Sequence, residues 1–284
     1  MSLCRICIIF GLLGLLLSCA PIRPVQQLAD MVITGNEVWQ GDVHIQGIVT
    51  VKKGARLEIR PGTRVIFEKL DKDGDGIGDG EILVEGSFYA VGTAEQPILL
   101  TSGADNPQPM DWKFLYLDFA KQAEIAHLIS EYAYSGVQIH FCKAKVTNSE
   151  FRYNIDGVRF STVNIELSDN YIHHNRHGIR FEERRGSGRV HHNQISDNEI
   201  GIFAVTRSKN QTLFELNNLV GNRDYQVKLG FEQPHDLSFP RNWWGGLTGE
   251  RLSESFFDRK FERNLGRVTA PEPLSTPVNI TTSP

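Results

Sequence analysis

Phe151-Arg-Tyr-Asn154-Ile-Asp-Gly157-Val-Arg-Phe160 is followed by Ile172-His-His-Asn175-Arg-His-Gly178-Ile-Arg-Phe181, then by Ile195-Ser-Asp-Asn198-Glu-Ile-Gly201-Ile-Phe-Ala204. All three share one pattern: apolar, two variable residues, Asn, two variable residues, Gly, a β-branched residue, one variable residue, apolar. A degraded copy at Leu219-Val-Gly-Asn222 carries Tyr225 in the Gly position, and Gly136-Val-Gln-Ile139 fits the second half upstream. The glycines lie 21, 21 and 23 residues apart, the asparagines 21, 23 and 24. That period is too short for a βαβ unit and carries no helical stripe. Short β-rich pieces between turn formers point instead to a coil of about 22 residues with three strands. Each strand then pairs in parallel with its equivalent one rung away, about 4.8 Å along the axis. Residue alternation places Val158, Ile179 and Ile202 inside and Arg159, Arg180 and Phe203 outside.

The expected fold is therefore all-β, a parallel β-helix solenoid. Asn154, Asn175, Asn198 and Asn222 are read as a structural ladder. A sharp corner needs left-handed backbone, which Asn and Gly tolerate, and stacked amides satisfy polar groups from rung to rung. Weaker repeats extend upstream through Ile45–Val51, Ala55–Ile59, Thr63–Phe67 and Ile82–Gly92. They leave room for nine or ten rungs over residues 36–246, with Asn106-Pro-Gln-Pro109 as a side loop.

The ends are read separately. Ile6 to Leu17 is an apolar run behind a single basic residue, closed by Leu16-Leu17-Ser18-Cys19. It is too short to span a bilayer comfortably, and it resembles a bacterial lipoprotein signal with Cys19 as the acylated residue. Residues 1–18 are expected to be removed, and 19–35 to form a tether and N-terminal cap. Acyl chains, at about 0.8 kcal/mol per buried CH₂, would hold the chain to a membrane in the cell envelope. The absence of Asp at position 20 points to the outer membrane by resemblance to enterobacterial sorting. Once Cys4, Cys7 and Cys19 are assigned, only Cys142 remains, so it is read as a small buried hydrophobe without a disulfide partner. At the other end, Trp243 and Trp244 in Asn242-Trp-Trp-Gly-Gly246 are read as a cap on the last rung. Residues 247–284 supply the rest: an amphipathic helix over Glu250–Arg263 with Leu252, Phe256, Phe257 and Phe261, then an extended or frayed tail beyond Pro271.

Three stretches carry a family resemblance: Val84 to Ile98 (apolar-x-Gly-x-Phe-x-Ala-x-Gly-Thr…Pro-Ile), the Asn-x-x-Gly-Ile rungs, and Asn242-Trp-Trp-Gly245. Over most of residues 36–265 the chain resembles exported bacterial members of the pectate-lyase-like superfamily, whose repeat is a right-handed parallel β-helix. The resemblance is specific for the fold. It is silent on activity, because this fold carries enzymes, adhesins and scaffolds.

Asp71-Lys-Asp73-Gly-Asp75-Gly-Ile77-Gly-Asp79-Gly-Glu81 is the sharpest local motif. Alternating Asp oxygens, the Ile77 carbonyl, Asp79 and Glu81 suit calcium, with Ile82 where an EF-hand places its bidentate Glu and Glu68 as a further substitute. Calcium would order this insertion rather than do chemistry. His173, His174, His177, His191 and His192 are read mainly as outer-surface polar pairs: His177 on Asp156, His192 on Asp169, His173 beside Arg152 and Ser196. The formal charge of -4, with no polybasic run, argues against a nucleic-acid partner. Removing Arg5 with the signal leaves -4 - 1 = -5.

The leading expectation is a membrane-anchored, non-catalytic envelope lipoprotein presenting a binding surface to glycan or to an envelope protein. A polysaccharide lyase or hydrolase using Arg159, His177, Arg180 and Glu182 is the alternative. A metal-handling accessory protein built on the histidines is the third reading.

Overall fold

The computed structural model describes residues 24–161 and 163–280. Residues 1–18 and Cys19, to which signal and lipid attachment were assigned, lie outside them.

Three long parallel sheets wrap one apolar core. Sheet A has nine strands, from Val25–Leu28 to Asn218–Val220; sheet B has ten, from Met31–Ile33 to Phe256–Phe257; sheet C has eight, from Asn36–Trp39 to Thr212–Glu215. The chain visits A, B and C in turn, so consecutive strands never pair and each strand meets its equivalent one coil away. Val158 faces Ile179 and Ile179 faces Ile202 across sheet B, and all three are buried. In sheet A the stack Phe151, Ile172, Ile195, Leu219 is fully buried. In the regular rungs parallel pairing gives core residues like-sized neighbours above and below, which produces dense packing without long-range design.

The asparagine ladder forms, but its corner geometry differs from expectation. The left-handed residue is the one before each Asn: Tyr153, His174 and Asp197 at φ 54, 53 and 55°, and Gly221 at 69°. The asparagines act through their side chains. Asn154 Nδ2 donates to Asn175 Oδ1 at 3.1 Å, Asn175 to Asn198 at 3.0 Å, Asn198 to Asn222 at 3.0 Å, and Asn222 closes on Gln226 Oε1 at 2.7 Å. A second ladder runs along the next corner. Asn170, Asn193, Asn217 and Asn242 join by the same bond at 2.9, 2.9 and 3.0 Å, and Ser149 N–H rests on Asn170 Oδ1. Each amide also caps backbone carbonyls that the turn removes from the sheet, as with Asn193 Nδ2 on Leu167 O and His191 O.

The coil outruns residues 36–246 at both ends. Val25–Leu28 already pairs with Asp42–Ile45, and Met31–Ile33 with Ile48–Val51, inside the stretch expected to be tether and cap. At the far end the helix is confined to Gly249–Glu254. Phe256–Phe257 pairs instead with Val227 and Lys228, extending sheet B by one strand. An open parallel edge with unpaired backbone groups competes well for a Phe-Phe pair that is itself a poor helix former. Trp244 is buried with its ring edge-on to Phe256 at 5.2 Å, while Trp243 bridges to Asn218 and stays half-buried. Beyond Pro271 the tail is extended and tied down: Leu274 N–H donates to Asn242 O, and Val278 exchanges two hydrogen bonds with the Asn218 side chain.

Candidate functional site: the outer face of sheet B

Register arranges the outer face of sheet B into columns one rung deep. The central column is Tyr116, Gln138, Arg159, Arg180, Phe203, Lys228. Beside it runs Asp118, His140, Ser161, Glu182, and on the other side Ser135, Asp156, His177. The solenoid thus collects, from separated sequence positions, the four residues Arg159, His177, Arg180 and Glu182 named for the enzymatic alternative.

Their environments differ. Asp156 is fully buried; its Oδ1 lies 2.7 Å from His177 Nδ1 and its Oδ2 3.4 Å from Arg180 Nη1. Glu182 accepts from Ser161 Oγ at 3.1 Å and pairs with Arg184 at 3.5 Å. Burial, reinforced by the neighbouring Arg180 cation, lowers the pKa of Arg159, and Arg180 Nε is buried without a hydrogen-bond partner among the described residues. Two guanidinium groups stacked one strand apart, both half-buried, favour an added anion on their exposed edges, which relieves their repulsion. Phe203 completes the column, with Arg180 Cζ 5.8 Å and Lys228 Nζ 6.0 Å from its ring centre.

His140 is a functional candidate that sequence reading missed. Burial, then the Arg159 cation, pushes it down to about 4, leaving a neutral imidazole at pH 7 whose Nδ1 lies 3.1 Å from the Tyr116 hydroxyl. Burial raises Asp118 as well, against its hydrogen bond from Tyr116. His140, Arg159, Ser161, Arg180 and Glu182 line a cavity of about 160 Å³. The signal was present: Ile139 had been aligned with Phe160, which puts His140 in the column of Ser161 and Glu182. On the neighbouring corner toward sheet C, Phe119 and Phe141 stack at 4.5 Å, are 64% and 45% exposed at left-handed positions, and line a separate hollow with Lys121 and Lys143. A larger hollow of about 570 Å³ lies on sheet C, but Glu124, Lys145, Glu166 and Arg189 alternate in sign across it. Its charges are matched rung to rung, so it offers less to a ligand.

The family of the right-handed beta helix region matches residues 112–234. Together with the parallel register of all three sheets, that decides the class. The fold is a parallel β-helix solenoid, and over residues 112–234 it matches the right-handed repeat. No curated protein matches it. A solved structure of trypsin-treated QnrB1, a plasmid-mediated fluoroquinolone resistance protein, aligns with 72% of this chain and 92% of its own, at 12% identity and a TM-score of 0.16.

In this β-helix protein the acidic insertion folds as a compact turn. Asp71, Asp73 and Asp75 each bring a carboxylate oxygen within 4.8 Å of the others. Asp71 accepts from the N–H groups of Gly74 and Gly76, and Asp75 from that of Ile77. The remaining assigned ligands stand outside this group. Asp79 Oδ2 accepts from Lys72 N–H, and Glu68 pairs with His44 at 2.8 Å. Glu81 opens the strand Glu81–Val84, paired with Ile48 and Phe114, where burial raises its pKa against the pull of Lys113. Among the described residues the carboxylates of the loop that converge are those of Asp71, Asp73 and Asp75, while Glu81 stands in the strand that follows.

Cys142 is buried, and desolvation, then Asp118, pushes its thiol up to about 12, which leaves it an inert thiol at neutral pH. His177 meets Asp156 as register requires, and His173 stands between Arg152 and Ser196. Both are buried rather than on the open surface.

Proposed function

We propose that this protein is a non-catalytic scaffold of the cell envelope whose sheet B face binds an acidic glycan. In this reading it belongs to the pectate-lyase-like superfamily, loses residues 1–18 on export, and is held at the outer membrane by acyl chains on Cys19. The observation that carries the binding role is the Arg159–Arg180 pair: like charges adjacent in register, both half-buried. Carboxylates along a polysaccharide would relieve that repulsion by pairing with the exposed guanidinium edges, and the exposed Phe119–Phe141 stack on the neighbouring corner offers apolar faces to sugar rings. The acids of the face are engaged internally, Asp156 with His177 and Arg180, Glu182 with Ser161 and Arg184. That supports binding over proton transfer.

The second reading is a polysaccharide lyase or hydrolase, favoured by the cavity in which a neutral His140 lies near Glu182. One experiment separates them: the purified protein is incubated with acidic and neutral polysaccharides, and binding and chain cleavage are both read. We expect salt-sensitive retention of the acidic polymer without cleavage, weakened about tenfold or more in Arg180→Ala. Cleavage that disappears in Arg180→Ala would make the protein an enzyme. Loss of all glycan binding would direct attention to a protein of the envelope as partner.

Calcium at Asp71, Asp73 and Asp75, with the Ile77 carbonyl, is proposed as a structural ion that orders the insertion. Its test is thermal unfolding: calcium should raise the midpoint of the protein and leave Asp73→Ala unmoved. Identical melting in calcium and in chelator would remove calcium from the account.

A further inference from the structure

Two dipeptides repeat with one geometry on two different corners. His173-His174 precedes Asn175 of one ladder, and His191-His192 precedes Asn193 of the other. In each, the second histidine occupies the left-handed corner position, at φ 53° and 54°, which turns its ring back onto the first. His173 Nδ1 and His174 Nδ1 are 2.6 Å apart; His191 Nδ1 and His192 Nδ1 are 2.8 Å apart. The far nitrogen of each first ring is held by a carboxylate: His173 Nε2 by Glu150 at 2.9 Å, His191 Nε2 by Glu166 at 2.6 Å. The backbone is pinned identically, since Asn175 and Asn193 donate to the carbonyls of His173 and His191 at 2.9 Å.

We propose that each His–His pair chelates one Cu(II) ion through its two Nδ1 atoms. With Nε2–H donating to a carboxylate, the Nδ1 lone pair of the first ring faces the second ring and accepts from its Nδ1–H, a proton that moves to the second ring's Nε2 when a metal takes its place. The carboxylate contact is the outer-shell arrangement typical of metal-bound histidine. Metal–imidazole bonds of about 2.0 Å place two nitrogens about 2.8 Å apart at a right angle and about 3.3 Å apart in a tetrahedron. The separations of 2.6 and 2.8 Å, now spanned by a hydrogen bond, lie nearer the right-angle value, the tetragonal preference of Cu(II), than the tetrahedral one. Copper also stands highest among first-row divalent ions for nitrogen ligands. Carboxylate contact alone does not build such a site. His44 on Glu68 and His177 on Asp156 share it, but in neither pair is the other ring nitrogen placed against a second imidazole among the described residues. The second rings are accessible, His174 exposed and His192 partly so, with coordination positions left to water or an incoming ligand.

The test is titration of the untagged protein with Cu(II), followed by calorimetry and by electron paramagnetic resonance. Two equivalents should bind per chain, each spectrum showing coupling to two nitrogens. His174→Gln and His192→Gln should each remove one equivalent and the double variant both, with circular dichroism and melting unchanged. Glu150→Gln, which keeps the fold and the first ligands, should weaken one site about tenfold. Two equivalents retained in the folded double variant, or copper without nitrogen coupling, would overturn the proposal. Glycan binding at sheet B plays no part in either outcome.

Discussion

The rungs before residue 127 and those after it solve the same corner problem by different means. In sheet A, partner residues are offset by 17, 22, 35 and 30 positions from Val25 through Asp42, Arg64 and Leu99 to Ile129. From Ile129 through Glu150, Tyr171 and Gln194 to Asn218 the offsets settle to 21, 21, 23 and 24. The first corners, up to residue 62, turn on glycine, with Gly41, Gly47, Gly54 and Gly62 at positive φ and simple backbone bonds between rungs; Met110 and Phe119 are the first bulky residues in that conformation among the described residues. Late corners turn on bulky residues and are stapled by two asparagine ladders. A glycine turn tolerates insertion, and both the acidic loop and the Asn106–Pro109 loop sit in the early half. A ladder does not tolerate it, because every amide must meet the next at one rung's spacing. Uniform period is thus the consequence of side-chain stapling rather than of the β-helix as such.

The sharpest way to break this comparison is to remove one staple. Asn193→Ala strands the carbonyls of Leu167 and His191 and the N–H of Asn170. It should cost about 4 kcal/mol in chemical denaturation, since each buried unsatisfied group is worth about 1–3 kcal/mol. Hydrogen exchange should rise first in the adjoining rungs, as expected where each repeat contacts only its neighbours. A uniform rise across the early half would refute the division.

Next in size is Gly178→Ala. A Cβ there would meet Gly201 O at 2.7 Å and Asn198 Nδ2 at 2.9 Å, the first a backbone atom of the next rung and the second locked in the ladder. About 2–3 kcal/mol of destabilisation is expected from overpacking. Gly54→Ala is the matching change in the early half. Nothing lies within 4 Å of its added Cβ, so only the φ of 89° is penalised, and the melting experiment should show about 1–2 kcal/mol.

The smallest effect is one of slope. His140 titrates at about 4 when folded against about 6.5 unfolded. Between those values the unfolded chain binds the proton and the folded one does not. Its contribution is therefore present above pH 6.5 and is lost as pH falls toward 4. His140→Gln should flatten the stability profile in that window and leave neutral stability nearly unchanged. An unchanged slope would show that the imidazole is not desolvated.

How much was readable follows the same division. The Asn154 ladder was legible because Gly three residues later marks the phase of each copy. The Asn170 ladder has no such marker: the residues before its asparagines are Asp169, His192, Leu216 and Arg241, and only intervals of 23, 24 and 25 betray it. In the candidate site, Arg159, His177, Arg180 and Glu182 fall in the phased copies and were found. His140 lies in a rung whose first half departs from the pattern, and was not. The acidic loop was legible as a motif, but which of its acids converge was not, because a spacing rule cannot see that Glu81 stands in a sheet strand while Asp71, Asp73 and Asp75 share one turn.

The sequence by itself determined the repeat, its three-strand coil, the inward stack of Val158, Ile179 and Ile202, and the first ladder. These follow from period and residue type, which are local. Only the tertiary structure decided which neighbours shift His140 and Arg159, that the Phe256-Phe257 segment becomes a strand, and that two His-His dipeptides close to hydrogen-bond distance. Those depend on what one rung presents to the next. Burial, charge and register across a gap of more than 20 residues are properties of the stacked coil, not of any single turn.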